Sequence, residues 1–194
     1  MSRKAELKRE TSETKVAVRL NLDGSGKADI NTGIGFLDHM YTALCVHSGV
    51  DLTLLCDGDL YVDDHHTAED TALLLGQAFD QALGDRKGIT RFGDATVPLD
   101  EALARAAIDI SGRPFAQIEL DLRRPNIGQL ACENISHVLS SFATAFRITL
   151  HVNMLAGEND HHKAEAAFKA VAVALRKALN RTRSNEVPST KGVL

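Results

Sequence analysis

Polar and apolar positions alternate through Thr14-Lys15-Val16-Ala17-Val18-Arg19-Leu20-Asn21-Leu22, the period of a half-buried strand, and Asp23-Gly24-Ser25-Gly26 then breaks the chain as a turn. Over residues 36–47 the period changes. Phe36, Met40, Ala43, Leu44 and His47 fall near one side, which predicts a helix. Residues 51–56 predict a second strand, closed by Asp57-Gly58. A long amphipathic helix follows over 67–83, with Leu73, Leu74, Ala78 and Leu83 toward the core and Gly84 at its end. The same order then returns: strands over 104–110 and 115–122 on either side of Ser111-Gly112-Arg113-Pro114, a helix over 135–146, a strand over 149–154, and a last helix from His161 to about Leu179. Strand and helix runs without a nucleotide-binding loop favour an α+β fold of two tandem similar halves, each a β-rich sheet with two helices. The boundary falls near residues 88–93, giving half-repeats 1–91 and 92–180 and a polar tail, 181–194.

Histidine usage sharpens this picture. The chain writes D-H-H-x-A-E twice, as Asp64-His65-His66-Thr67-Ala68-Glu69 and Asp160-His161-His162-Lys163-Ala164-Glu165, with His65 and His161 96 positions apart in 194 residues. A lone histidine precedes each pair: His39 lies 26 positions before His65, and His137 lies 24 before His161. The repeated order is therefore lone His, strand, then a helix opening with His-His-x-x-Glu.

Composition narrows the class without naming a function. Apolar residues at 44% and charged ones at 25% are ordinary for a globular protein. A formal charge of −4 and the lack of any sustained basic run exclude a nucleic-acid footprint. Cys45, Cys56 and Cys132 are odd in number and lack C-x-x-C spacing, so they read as reduced thiols of an intracellular protein. The start, Met1-Ser2-Arg3-Lys4, has no apolar signal region after it, and no apolar run approaches the roughly 20 residues of a membrane span. A cytoplasmic location is expected, with neither membrane nor nucleic acid as partner.

The doubled motif fixes how its ligands are shared. On a helix, residues i and i+4 share a face, whereas i and i+1 point about 100° apart. His65 can close with Glu69 on one cation and His161 with Glu165 on another. The adjacent His66 and His162 cannot join the cations of their own neighbours. Under a pseudo-two-fold packing of the halves each crosses to the other cation, and His39 and His137 complete one site apiece. Three imidazoles and one carboxylate leave two positions of a six-coordinate ion open, as catalysis requires. With no thiolate in the set, Mn²⁺, Fe²⁺, Co²⁺ and Zn²⁺ all remain open. Asp64 and Asp160 stand where helix caps belong, and Asp38, Asp63 and Asp70 are available as acceptors behind the ligands. A dinuclear metallohydrolase and a non-catalytic metal-binding shell protein are rival readings of the same ligands. The first would need a bridging carboxylate, which one glutamate per motif does not supply.

These residues resemble those of the imidazoleglycerol-phosphate dehydratases. The likeness runs through Glu13-Thr14-Lys15-Val16, Leu22-Asp23-Gly24-Ser25-Gly26, Thr32-Gly33-Ile34-Gly35-Phe36-Leu37-Asp38-His39-Met40, residues 63–72, Asp109-Ile110-Ser111-Gly112-Arg113-Pro114, residues 133–137 and 159–169, and Pro188-Ser189-Thr190-Lys191-Gly192. It covers essentially the whole chain, and F-L-D-H-M beside two D-H-H-x-x-E elements is not a generic pattern.

The resemblance implies a hydro-lyase of histidine biosynthesis converting D-erythro-imidazoleglycerol phosphate to imidazole acetol phosphate and water. It further implies a tandem duplication of a ribosomal-protein-type α+β unit, each half a four-stranded, mostly antiparallel sheet backed by two helices. Two Mn²⁺ per active site and a homo-24-mer with sites where subunits meet are also implied. One Mn²⁺ would be held by His39, His66, His161 and Glu165, the other by His65, Glu69, His137 and His162. Glu13 and His47 match positions of the family's substrate chemistry, and Arg91, Arg113, Lys169, Ser189 and Lys191 match its phosphate-binding positions, with the tail reaching the site. One departure stands out. The family commonly reads Leu-Asp-Gln after the F-L-D-H-M histidine and methionine, where this chain has Tyr41-Thr42-Ala43, so a phosphate-binding glutamine is absent at Ala43. Thr190 replaces a more usual serine and keeps the hydroxyl.

Overall fold

The structure, a computed structural model, describes residues 3–184, 186–192 and 194. Met1 and Ser2 of the expected first half-repeat, and Asn185 and Val193 of the expected tail, lie outside the described residues. Among the described residues the elements run β1 (Lys4–Glu10), β2 (Thr14–Asn21), β3 (Ala28–Asn31), α1 (Gly35–Ser48), β4 (Asp51–Gly58) and α2 (His65–Leu83). They continue with β5 (Phe92–Leu99), β6 (Ala102–Asp109), β7 (Phe115–Glu119), the short pair β8 (Asn126–Ile127) and β9 (Leu130–Ala131), α3 (Cys132–Phe146), β10 (Thr149–Ala156) and α4 (Asp160–Leu179). Two four-stranded sheets, in the orders β1-β2-β4-β3 and β5-β6-β10-β7, have the same topology: two antiparallel ladders and one parallel pair at the far edge. The fold is α+β.

The helices and central strands follow the hydrophobic pattern. Of the edge strands only β7 announces itself; β1, β3 and β5 do not. β1 reads Lys-Ala-Glu-Leu-Lys-Arg-Glu and buries only Ala5 fully, with charged side chains outward. Such charge blunts the open edge of a sheet, which is why its sequence looks like coil. β5 carries Pro98 and also pairs on one side only.

Each sheet is backed by its own two helices, and the halves meet helix to helix. α2 packs on β1 and β2, and α4 on β5 and β6, while α2 lies against α3 and α1 against α4. A single apolar core therefore runs through both halves, with Leu54, Leu75, Phe79, Phe146, Leu150 and Phe168 fully enclosed. The α2–α3 approach is close because Gly76 faces α3: a Cβ there would stand 2.6 Å from the Phe142 carbonyl oxygen and 2.7 Å from the Ala145 methyl. Phe79, one turn on, stacks edge-to-face on Phe142 at 5.2 Å.

Gly76→Ala gains helix propensity worth about 1 kcal/mol. The added methyl meets backbone atoms that cannot yield, so a net loss of about 1–2 kcal/mol is expected. Denaturant unfolding of the variant and its parent measures it, and an unchanged or raised midpoint would contradict the close packing.

Candidate functional site

The helix pairing brings the histidines together across the halves. On one side, α1 supplies His39 and α4 supplies His161 and Glu165, and their donor atoms all lie within 4.8 Å of one another. His39 Nε2 is 3.1 Å and His161 Nε2 3.3 Å from Glu165 Oε2. On the other, α2 supplies His65 and Glu69 and α3 supplies His137, again within 4.8 Å. Here His137 Nε2 is 3.0 Å from Glu69 Oε1, and the His65 and His137 rings stack at 5.0 Å. Each triad takes its lone histidine from one half and its i, i+4 pair from the other. Their donor set of imidazole nitrogen and carboxylate oxygen fits a hard-to-borderline divalent cation.

His66 and His162 join neither triad within the chain. The rings of each adjacent pair stand nearly perpendicular, at 71° for His65 and His66 and 87° for His161 and His162. His66 turns to Asp59, with Nδ1 3.0 Å from Oδ2, and its Nε2 lies 3.7 Å from Glu13 Oε1. His162 turns to Glu101, with Nδ1 2.8 Å from Oε2. These hydrogen bonds raise the pKa of both rings, and the hydrogen bond from His162, together with that from the Asn159 backbone N–H, holds the Glu101 carboxyl at about 2. Asn134 plays the matching part for His65, its Oδ1 lying 3.0 Å from Nδ1. Asp59, Glu101 and Asn134 went unseen in the sequence. Asp59 stands seven positions before His66 and Glu101 sixty-one before His162, so no shared spacing marks them.

The aspartates of the motifs correct their expected role. Asp64 and Asp160 do not cap their own helices. Asp64 Oδ2 accepts from the Ala131 N–H at 2.7 Å, and Asp160 Oδ2 from Arg123 and Arg124 N–H at 2.9 and 2.7 Å. Each ties the start of a ligand helix to the segment leading into α3. Caps come instead from Asp63, which accepts from His65 N–H, and Asn159, which accepts from His161 N–H. The fully buried Lys163 reinforces the second tie, donating to the Asp121 carbonyl at 2.6 Å. Asp38 accepts from Thr32 and fixes the turn into α1, while Asp70 holds Arg9 and Thr14.

Glu13 is exposed on the β1–β2 turn, pinned there by Thr11 Oγ1 accepting its N–H at 3.1 Å. Lys169, one turn beyond Glu165, bonds Glu165 Oε1 at 2.7 Å. His47, in the last turn of α1, has its pKa lowered by burial first and by the Lys169 charge second. Ala43 is buried and offers no polar group.

The remaining cations gather elsewhere. Arg91 grips Asp109 through Nε and Nη2 at 2.7 and 3.1 Å, and its Nη1 donates to the Pro188 carbonyl at 2.7 Å. All three guanidinium nitrogens are thus engaged, and the group lies over the Phe92 ring at 4.6 Å. The tail bearing Ser189 and Lys191 is thereby docked, and Leu194 closes on Gly112 beside the exposed Arg113. Arg91 N–H also bonds Ala178 near the C-terminus of α4. At 1.5 Å per residue, that point stands about 25 Å along the helix from His161.

The sequence model of the imidazoleglycerol-phosphate dehydratases matches residues 32–175. The chain belongs to that family. It is 59% identical over 192 residues to the Phytophthora nicotianae imidazoleglycerol-phosphate dehydratase, covering 99% of this chain but only 42% of that longer protein. The Candida albicans enzyme of the same name is 53% identical, covering 100% of this chain and 99% of its own. Among solved structures, the dehydratase of Staphylococcus aureus superposes with a TM-score of 0.82 at 34% identity, covering 92% of this chain and 99% of that one. That of Pyrococcus furiosus gives 0.84 at 37%, covering 97% and 100%. The chain is thus an enzyme of a hydro-lyase family that serves histidine biosynthesis and depends on metal. No helix among the described residues is long and apolar enough to cross a membrane.

Burial alone would raise the Glu165 carboxyl, but the hydrogen bonds from Lys169 and then His39 outweigh it and hold it at about 2, below its ordinary 4.5. A depressed carboxyl contributes stability above its unfolded value and loses it as pH falls through the folded one. In chelator, the unfolding midpoints of parent and Glu165→Gln should therefore converge as pH drops from about 4.5 to about 2. A gap that stays constant across that window would contradict the ion pair.

Proposed function

We propose that the chain dehydrates D-erythro-imidazoleglycerol phosphate to imidazole acetol phosphate at a pair of Mn²⁺ ions. The two matched triads carry this reading, since an imidazole substrate has two ring nitrogens to match two cations. In it, His39, His161 and Glu165 are joined by His66, and His65, Glu69 and His137 by His162. Divalent cations held by these two ligand sets would supply Lewis acidity toward an imidazole. That favours loss of the proton from the adjacent side-chain carbon, which Glu13 or His47 can take, and departure of the hydroxyl as water.

The chain's own groups do the rest. Glu13 is exposed beside His66 and can take or return a proton. His47, whose pKa is lowered by burial and then by Lys169, offers an imidazole as a second group for proton transfer. Arg113, Lys191, Ser189, Lys169 and Arg91 bind the phosphate, the arginines through their planar fork and the lysines as point charges.

His66 and His162 lie outside the triads, and the Arg91 cluster stands about 25 Å along α4 from His161. A complete site on this reading draws on more than one copy of the chain, in a homo-24-mer whose sites form where subunits meet. The half-repeats 1–91 and 92–180 act as one fused unit, and the tail 181–194 reaches a neighbour's site. Free thiols at Cys45, Cys56 and Cys132 suit a cytoplasmic setting.

Stripping the protein with chelator, restoring Mn²⁺ and following imidazole acetol phosphate tests the reaction. Turnover should depend on added metal, with two Mn²⁺ per chain and a particle of 24 subunits by light scattering. Absence of turnover with metal restored would overturn it, and phosphate release would point to a hydrolase. Glu13→Gln should lower kcat by about 10²–10⁴-fold with metal content intact.

A further inference from the structure

An ionised carboxylate only accepts hydrogen bonds, so a ring nitrogen at hydrogen-bond distance from one must carry the proton. For His66 that nitrogen is Nδ1, straddled by both Asp59 oxygens at 3.0 and 3.2 Å. For His162 it is also Nδ1, 2.8 Å from Glu101. In each neutral ring the bare lone pair then sits on Nε2, facing away from the carboxylate. The backbone of Asp59 and the carboxylate of Glu101 are themselves held. The Asp59 N–H donates to the Glu13 carbonyl at 3.1 Å, and Glu101 Oε1 accepts from Asn159 and Glu158 N–H at 2.8 and 3.3 Å. They arise from unrelated places, Asp59 just past β4 and Glu101 on the β5–β6 turn, yet meet the same atom of the second histidine of each D-H-H pair.

We propose that Asp59 and Glu101 are positioning residues that lock His66 and His162 with Nε2 outward, each to complete the cation site of another copy of the chain. The inference rests on the two-cation reading above. A histidine that shares a triad is oriented in part by the other donors around it. Among the described residues His66 and His162 stand in neither triad. The carboxylates nearest their Nε2 atoms, Glu13 and Asp100, lie 3.7 and 3.8 Å off, beyond hydrogen-bond reach, so the two rings must be aimed from the Nδ1 side before assembly. The carboxylate also makes the ring a stronger donor to a cation, an effect commonly worth 10–100-fold in metal affinity.

The assembled protein is titrated with Mn²⁺ against a fluorescent chelator, and Co²⁺-substituted samples are examined by visible absorption. Asp59→Ala should weaken one of the two ions per chain by about 10–100-fold and leave the other, and Glu101→Ala should do the same to its counterpart. Asp59→Asn and Glu101→Gln, whose amide oxygen can still accept from Nδ1–H, should recover part of the loss and shift the cobalt band. A purely structural role would lower the unfolding midpoint with both affinities unchanged, and that result overturns the proposal. If an alanine variant does not fold, an amide variant with parental affinity and an unshifted cobalt band overturns it equally. A parent protein that binds no Mn²⁺ would overturn the two-cation reading and this inference together, whereas a parent that binds two beside unaffected variants would overturn the inference alone.

Discussion

Neighbouring side chains on an α-helix point about 100° apart, and the molecule is organised around that constraint. Two adjacent histidines cannot face one cation. In each D-H-H pair the first histidine therefore gathers with the glutamate four residues on, and the second is turned aside to Asp59 or Glu101. Everything else in the site follows from having to supply what that geometry withholds. A lone histidine comes from the other half, and a carboxylate grips each histidine that is turned away.

Close helix packing makes the arrangement possible. α2 can approach α3 only because Gly76 has no side chain, and that approach sets His137 against Glu69. The aspartates of the two motifs act at the same joints. By accepting backbone N–H groups from Ala131 and from Arg123 and Arg124, they fix where the ligand helices begin relative to the chain entering α3. Core and site are in this sense one construction, with the apolar interior of both halves holding helices that present ligands at their rims.

How much of this was legible in the sequence depended on whether a signal is local. The helices and central strands announce themselves by period, and the repeated D-H-H-x-A-E marks the ligand helices. Edge strands β1 and β5 were lost because charge and Pro98 replace the alternation that a central strand needs. Asp64 and Asp160 looked like caps because capping is a local rule, whereas their partners lie 67 and 36 or 37 residues away. Glu101 and Asn134 were invisible for the same reason, and Asp59, though only seven positions from His66, stands at no spacing that marks it. Arg91 was read as a cation for phosphate, and only the structure shows it also clasping Asp109 and the tail at Pro188.

The cross-half makeup of the triads has a consequence for how the halves depend on each other. One half owns one lone histidine and one His-x-x-x-Glu pair, on helices whose main helix partners lie in the other half. Neither half can gather a triad from its own residues, so the link between them takes the place of the tight association that separate halves would need. The two halves need not match residue for residue to keep that arrangement: Lys163 stands where the first motif has Thr67, and Glu101 serves the second half as Asp59 serves the first.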